Sequence, residues 1–275
     1  MHATLSHAAR GIALALALAL AAPAHAADIA VTIYGDAGYP PYSWSRDGKS
    51  AGLYYEIVKT AVGRMQGYKV DIQPVPWKRG MSMLENGSAF ALFPPYFNTH
   101  DEPFTWPYSL PLYQEHVVAV CRKDVVAKKG KMTWPEDFYG MRIGNNAGFI
   151  VGGVEFDRAV REGKIHMEEA RDNQANLVKL GLKRLDCYIN DRISIEWTKK
   201  ALKRDGLYDE GGKHAVLVEA VVIGMEQGFL GYTDRDKGRF PFKTDFVKKF
   251  DAIIYQMHRQ GEIARIAQEF FKKNN

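Results

Sequence analysis

Two cysteines in 275 residues are too few for a disulfide scaffold or a thiolate metal cluster. Long apolar runs are as scarce. The longest, residues 12–22, is about eleven residues, against the roughly 20 that span a bilayer. No cysteine follows that run to suggest a lipid anchor. Charge of one sign is also missing: 37 Lys and Arg face 32 Asp and Glu, a net +5. The charges are scattered, and Lys128, Lys129 and Lys131 form only a short cluster of the kind found on solvated surfaces. Nucleic-acid binding therefore has no support. No phosphate-binding loop, glycine-rich dinucleotide fingerprint or nucleophile elbow occurs. His100 and His116 lack partners at metal-ligand spacing. The expectation is no metal and no cofactor. No fixed-period repeat follows residue 26.

What is present is ordinary for a globular protein, with 46% hydrophobic and 25% charged residues. The length allows one large domain or two modest ones. The first 26 residues read separately. Arg10, the Ala/Leu run and then Ala24-His25-Ala26 make a secretory signal peptide, with cleavage expected between Ala26 and Ala27. A buried helix or membrane anchor is the competing reading of the run. Export predicts a mature protein free in the periplasm. Cys121 and Cys187 lie in apolar, strand-like runs. An oxidising compartment allows them to pair, and a buried free thiol suits such runs equally. Sequence gives no Cα separation, so both readings stay open.

Along the mature chain, residues 29–34 alternate as a strand and end at Gly35-Asp36-Ala37-Gly38. Tyr39-Pro40-Pro41-Tyr42 reads as a stiff loop, because proline fixes φ and extends the residue before it. Leu53, Ile57, Val58, Ala61, Val62 and Met65 have helical spacing. Residues 69–74 read as a strand, Pro76-Trp77-Lys78-Arg79 opens a helix, and residues 90–93 form a short strand. A proline-punctuated loop over 99–112 follows. A second β/α set then begins with a strand over 117–122 and a turn-like helix at 134–138. Strands at 142–144 and 185–189 and helices over 152–162, 173–180 and 195–202 continue it. Strands over 215–224 and 229–232 and helices over 246–258 and 263–271 close the chain. Alternating strands and helices predict mainly parallel sheets flanked by helices.

The ordered motifs resemble family 3 extracellular solute-binding proteins, the polar-amino-acid type of periplasmic binding protein. The likeness begins with Tyr39-Pro40-Pro41-Tyr42, Gly48-x-x-x-Gly52-Leu53 and Glu56-Ile57-Val58. Trp77-Lys78-Arg79, Leu84-x-x-Gly87 and Phe104-x-x-x-Tyr108-Ser109-x-Pro111-x-Tyr113 continue it. Gly140-x-Arg142-Ile143-Gly144, residues Leu185 to Asp191 and Gly261-Glu262-Ile263-x-x-Ile266 complete it. The resemblance implies an α/β, two-lobe type II periplasmic binding protein fold with two hinge crossings, near 112–115 and 225–231. Lobe one would comprise 28–113 plus 229–275, and lobe two 114–228. It also implies a monomer that captures a small-molecule solute (an amino acid, amine or related polar compound) and delivers it to a membrane ABC permease.

Candidate ligand-binding residues follow. Asp36, at a strand end, can accept from a cationic group or merely form a turn. The resemblance places Tyr39 and Trp77 where an aromatic face meets the ligand; core or rim packing is the other reading of each. Arg79 can clamp a carboxylate or face solvent. Asp191 matches the acid that holds a ligand amino group, and also fits an N-cap for the helix expected near Ile195. Pro95, Tyr96 and Phe149 complete the set. Glu102 is a departure. Amino-acid binders of this family place an Arg here for the α-carboxylate, whereas residues 98–103 contain none. The Gly-Thr-Thr-like stretch of lobe two likewise becomes Gly148-Phe149-Ile150. With Asp36, Glu102 and Asp191 near one cleft, a cationic solute would relieve repulsion among the carboxylates. Alternatively Glu102 faces solvent and Arg79 replaces the missing Arg.

The primary expectation is a binding protein without catalysis. The alternatives are an enzyme resembling cyclohexadienyl dehydratases, with a cleft carboxyl as acid, and a periplasmic sensor component.

Overall fold

A computed structural model describes residues 27–127 and 129–274. The expected signal peptide lies outside the described residues. The chain opens with β1 (Ile29–Asp36), β2 (Gly38–Tyr39), β3 (Ser43–Arg46), β4 (Lys49–Ala51) and α1 (Leu53–Val62). Next come β5 (Tyr68–Val75), α2 (Trp77–Glu85), β6 (Ala91–Phe93) and β7 (Thr105–Tyr108). The middle of the chain supplies β8 (Tyr113–Arg122), α3 (Lys123–Val126), β9 (Arg142–Asn146), α4 (Val154–Arg161) and β10 (His166–Ala170). It continues through α5 (Asn173–Gly181), β11 (Cys187–Asp191) and α6 (Arg192–Arg204). Then follow β12 (Leu217–Gly228), β13 (Gly231–Thr233), α7 (Lys243–Arg259) and α8 (Glu262–Asn274).

Two five-stranded sheets result, ordered β5-β1-β6-β13-β7 and β10-β9-β11-β8-β12. In each, four strands run the same way and one runs against them, β13 in the first sheet and β8 in the second. The first sheet draws on both ends of the described chain and the second on its middle, giving two lobes. β8 and β12 pair antiparallel from Tyr113 opposite Gly228 to Arg122 opposite Leu217. Their lobe-one ends lie side by side, where the Leu112 amide donates to the Gly228 carbonyl at 2.8 Å.

Burial on both faces explains the apolar strands. In β8, Val117, Ala119 and Cys121 pack with Phe138, Ile143 and Phe156 on one face. Val118 and Val120 pack with Leu177, Tyr188 and Leu202 on the other, as the period of two requires. In lobe one, Val31 and Ile33 meet α1 and α7 through Ile57, Val58, Phe246 and Phe250. Val75, Met81, Leu84 and Leu92 cover the opposite face.

The segment read as a stiff loop is a turn over residues 40–42, and short strands around it, not expected from the sequence, pair into a small sheet, β2-β3-β4. Its strands are two to four residues long, too short for alternation to announce. The proline-rich loop carries β7, which tolerates Pro107 because it is an edge strand. Gly52 precedes α1 at φ 123°, and a Cβ there would collide with the Tyr42 carbonyl. This close approach seats Tyr54 beside Tyr42, with ring centroids 5.7 Å apart.

Cys121 and Cys187 stand opposite each other on β8 and β11 and are disulfide-bonded. The bond closes a loop of 66 residues inside the core of lobe two. Replacing both with Ala should lower the free energy of unfolding by about 2–4 kcal/mol. Denaturant titration checks this: reductant should shift the midpoint of the parent protein and leave that of the double variant unmoved.

Candidate functional site

Strand ends gather between the lobes, as expected for open α/β sheets. β1 delivers Asp36 and β2 delivers Tyr39. The N-terminus of α2 delivers Trp77, and the segment after β6 delivers Pro94, Tyr96, Asn98 and Glu102. The loop after β9 contributes Gly148, Phe149, Ile150 and Val151 from lobe two. These residues line one cavity with about 400 Å³ of empty space, open to solvent. Its walls are largely aromatic: Phe149 stands edge-on between Tyr39 and Trp77, with centroids at 5.3 Å and 5.7 Å.

The lobes touch around this cavity. Trp77 Nε1 donates to the Gly148 carbonyl at 3.1 Å. Lys78 pairs with Glu169 at 2.6 Å, and Glu169 also accepts from the Gly148 amide at 2.8 Å. Ser194 Oγ donates to the Pro40 carbonyl at 2.5 Å. Further out, Trp197 of α6 stacks near Phe270 of α8 and tilts against Trp44 of β3.

Two carboxyl groups line the cavity. Asp36 is 3% exposed and accepts from the Gly38 amide at 2.9 Å. Burial raises its pKa to about 7, against the lowering effect of the Gly38 and Ala37 amides. Glu102 is 8% exposed, and among the described residues no donor reaches its carboxyl. Burial, then the charge of Asp101, raises it to about 7. Desolvation disfavours the ionised form in both.

Beneath the cavity lies a third carboxyl, Glu115, 1% exposed at the root of β8. It accepts from the hydroxyls of Tyr39, Tyr54 and Tyr96, the last at 2.8 Å. Burial and then the nearby Asp191 raise its pKa to about 8, against the three hydrogen bonds. Burial also raises all three tyrosines well above their usual range, so they remain donors. The β9 loop is shaped from below by asparagines. Asn145 Nδ2 donates to the Phe149 carbonyl at 2.7 Å, and Asn146 Nδ2 donates to buried Asn173 at 2.6 Å.

Of the residues expected from sequence, Asp36, Tyr39, Trp77, Tyr96, Glu102 and Phe149 line the cavity together. Three do not. Arg79 is exposed on α2, because two residues of helical rotation turn it away from Trp77. Pro95 is buried behind the wall, where its carbonyl accepts from Phe229 at 3.0 Å; Pro94 holds the lining position. Asp191 is the N-cap of α6, which begins at Arg192. Its oxygens accept from the Ser194 amide at 2.8 Å and the His116 amide at 3.0 Å. Glu115 and Tyr54 went unrecognised. Glu115 shares a strand face with Val117, Ala119 and Cys121, and a lone acid continuing a buried apolar face is the signal that marks it.

A carboxyl whose folded pKa lies above its unfolded value holds an extra proton in the folded state between the two. Stability therefore falls as pH rises through that interval. For Asp36, Glu102 and Glu115 the interval ends near 7, 7 and 8. Carboxyls with lowered pKa, such as Asp186 and Glu262, act in the opposite sense but below their ordinary range. The ligand-free protein should melt at progressively lower temperature from pH 5 to pH 8, and Glu115→Gln should flatten that slope. A melting temperature that rises across the range contradicts this.

Similar proteins match over almost the whole described chain. The family model for bacterial extracellular solute-binding proteins, family 3, matches residues 31–273. No curated protein matches. A histidine kinase sensor domain with similarity to periplasmic binding proteins superposes with a TM-score of 0.68 at 15% identity, covering 88% of this chain and 96% of the other. A mutant of ArgBP from T. maritima gives 0.66 at 15% identity, covering 88% and 95%. The ancestral amino acid-binding protein AncCDT-1, a precursor of cyclohexadienyl dehydratase, gives 0.63 at 17% identity, covering 88% and 95%. At these identities the structures establish the two-lobe fold alone. Among the described residues no helix is long and apolar enough to cross a membrane. With the family model spanning both lobes, the chain belongs to the bacterial extracellular solute-binding proteins of family 3.

Proposed function

We propose that this protein captures a small polar or amine-bearing solute in the cavity between its lobes, in the periplasm, and presents it to an ABC permease. The observation that carries this reading is the cavity itself, with walls drawn from both lobes at strand ends. Such a site needs no catalytic group. A solute that prefers the closed arrangement shifts the population toward it. Lobe one would run over 28–113 plus 229–275 and lobe two over 114–228, with Tyr113 and Gly228 at the crossings. What supports these bounds is the membership of the two sheets and the pairing of β8 with β12. Tyr39, Trp77 and Phe149 would pack against the solute, with Asp36 and Glu102 as its polar contacts.

A second reading has one specific observation behind it. Glu102 is a buried carboxyl facing a cavity, with a pKa near neutrality, and such a group can act as a general acid. Turnover of prephenate or arogenate, abolished by Glu102→Gln, would favour that enzyme.

Native mass spectrometry of the protein purified from periplasm should show a small-molecule adduct, and adding the identified compound should raise the melting temperature. Trp77→Ala should weaken its binding by about tenfold, the loss expected for one aromatic wall. A protein that carries no adduct and is stabilised by no amino acid, amine or small carboxylate contradicts the reading.

A further inference from the structure

We infer that the solute is an organic amine carrying no carboxylate, with its ammonium group against Glu102 and its apolar body between Tyr39, Trp77 and Phe149. This deepens the solute-binding reading above and rests on it. The first observation is the absence of any Lys, Arg or His among the residues lining the cavity. The cation at the rim, Lys78, is already paired with Glu169 at 2.6 Å, and Arg79 is exposed on a different face of α2. Nothing in the wall can hold a ligand carboxylate by charge.

The second observation is the state of Glu102. The residue is 8% exposed, its carboxyl faces the cavity, and among the described residues it receives no hydrogen bond. Its electrostatic neighbours are Asp101 and Tyr108, neither of which brings positive charge. An unpaired buried carboxyl carries a large desolvation cost. An ammonium group supplies both the missing opposite charge and the missing donors. Asp36 adds a second carboxyl to the same wall, and an ammonium favours ionisation of either carboxyl where an α-carboxylate opposes it.

The third observation is the aromatic enclosure. Phe149 reaches across from lobe two and stands edge-on to both Tyr39 and Trp77. Ring faces attract cations and exclude water from an aliphatic or aromatic body.

Calorimetric titration of the purified chain with matched sets tests this. Each set holds one side chain constant: phenylalanine, phenethylamine and phenethyl alcohol; leucine, isoamylamine and isoamyl alcohol; arginine and agmatine. The amine should bind at least about tenfold more tightly than its amino acid and its alcohol, as loss of a charge-assisted hydrogen bond requires. Glu102→Gln should cut amine affinity by a similar factor while the circular dichroism spectrum stays unchanged. If that variant fails to fold, the amine-to-alcohol ratio of the parent protein decides alone. An amino acid that outbinds its amine in every set overturns the inference while leaving solute binding intact. Silence from all sets also overturns it, and the periplasmic adduct then decides the broader reading separately.

Discussion

A carboxyl group with no counter-cation among the described residues sits where the two lobes join. Glu115 is buried at the root of β8 and is held by three phenol hydroxyls instead. Those hydroxyls come from separate pieces of lobe one: the strand β2, the helix α1 and the segment after β6. Hydrogen bonds to a carboxyl in a low-dielectric site are strong when made and expensive when missing. The three pieces are therefore tied to the strand that leads into lobe two. Tyr39 and Tyr96 serve twice, since each also lines the cavity above. Position of the wall and position of the hinge strand are thus one constraint.

Contacts between the lobes divide into two kinds. The Lys78–Glu169 pair is largely exposed, and such pairs contribute little in water. The apolar contacts matter more: Phe149 with Tyr39 and Trp77 inside, Trp197 with Trp44 and Phe270 outside. Inside, part of the enclosed space is filled by a side chain of the protein itself.

Most of the strand-and-helix order of each lobe could be read in advance because burial leaves a periodic trace, but β10 and β7 could not, the first being an edge strand with no buried residue. Residues 117–121 are continuously apolar since both faces of β8 are covered, and 53–65 are helically spaced since one face of α1 is. The β2-β3-β4 sheet left no such trace because two- to four-residue strands are shorter than a readable period. Within the cavity, Asp36, Tyr39, Trp77, Tyr96, Glu102 and Phe149 could be named from their motifs. Arg79 and Pro95 lie outside the cavity for a shared reason: neighbours in sequence point to different sides of a helix or turn. Asp191 was a sound choice of residue with the other of its two readings realised, because α6 starts three residues earlier than its apolar spacing suggests.

The sequence alone determined the family motifs, the two β/α sets and the absence of an arginine around Glu102. Each is a property of local order or composition, and local order is what hydrophobic spacing and turn chemistry encode. Tertiary structure alone decided that Cys121 faces Cys187 and that three distant tyrosines converge on Glu115. It also decided that a phenylalanine of one lobe stands between aromatic rings of the other. Those outcomes depend on the separation of groups far apart along the chain, which strand register and lobe closure set and no local pattern records.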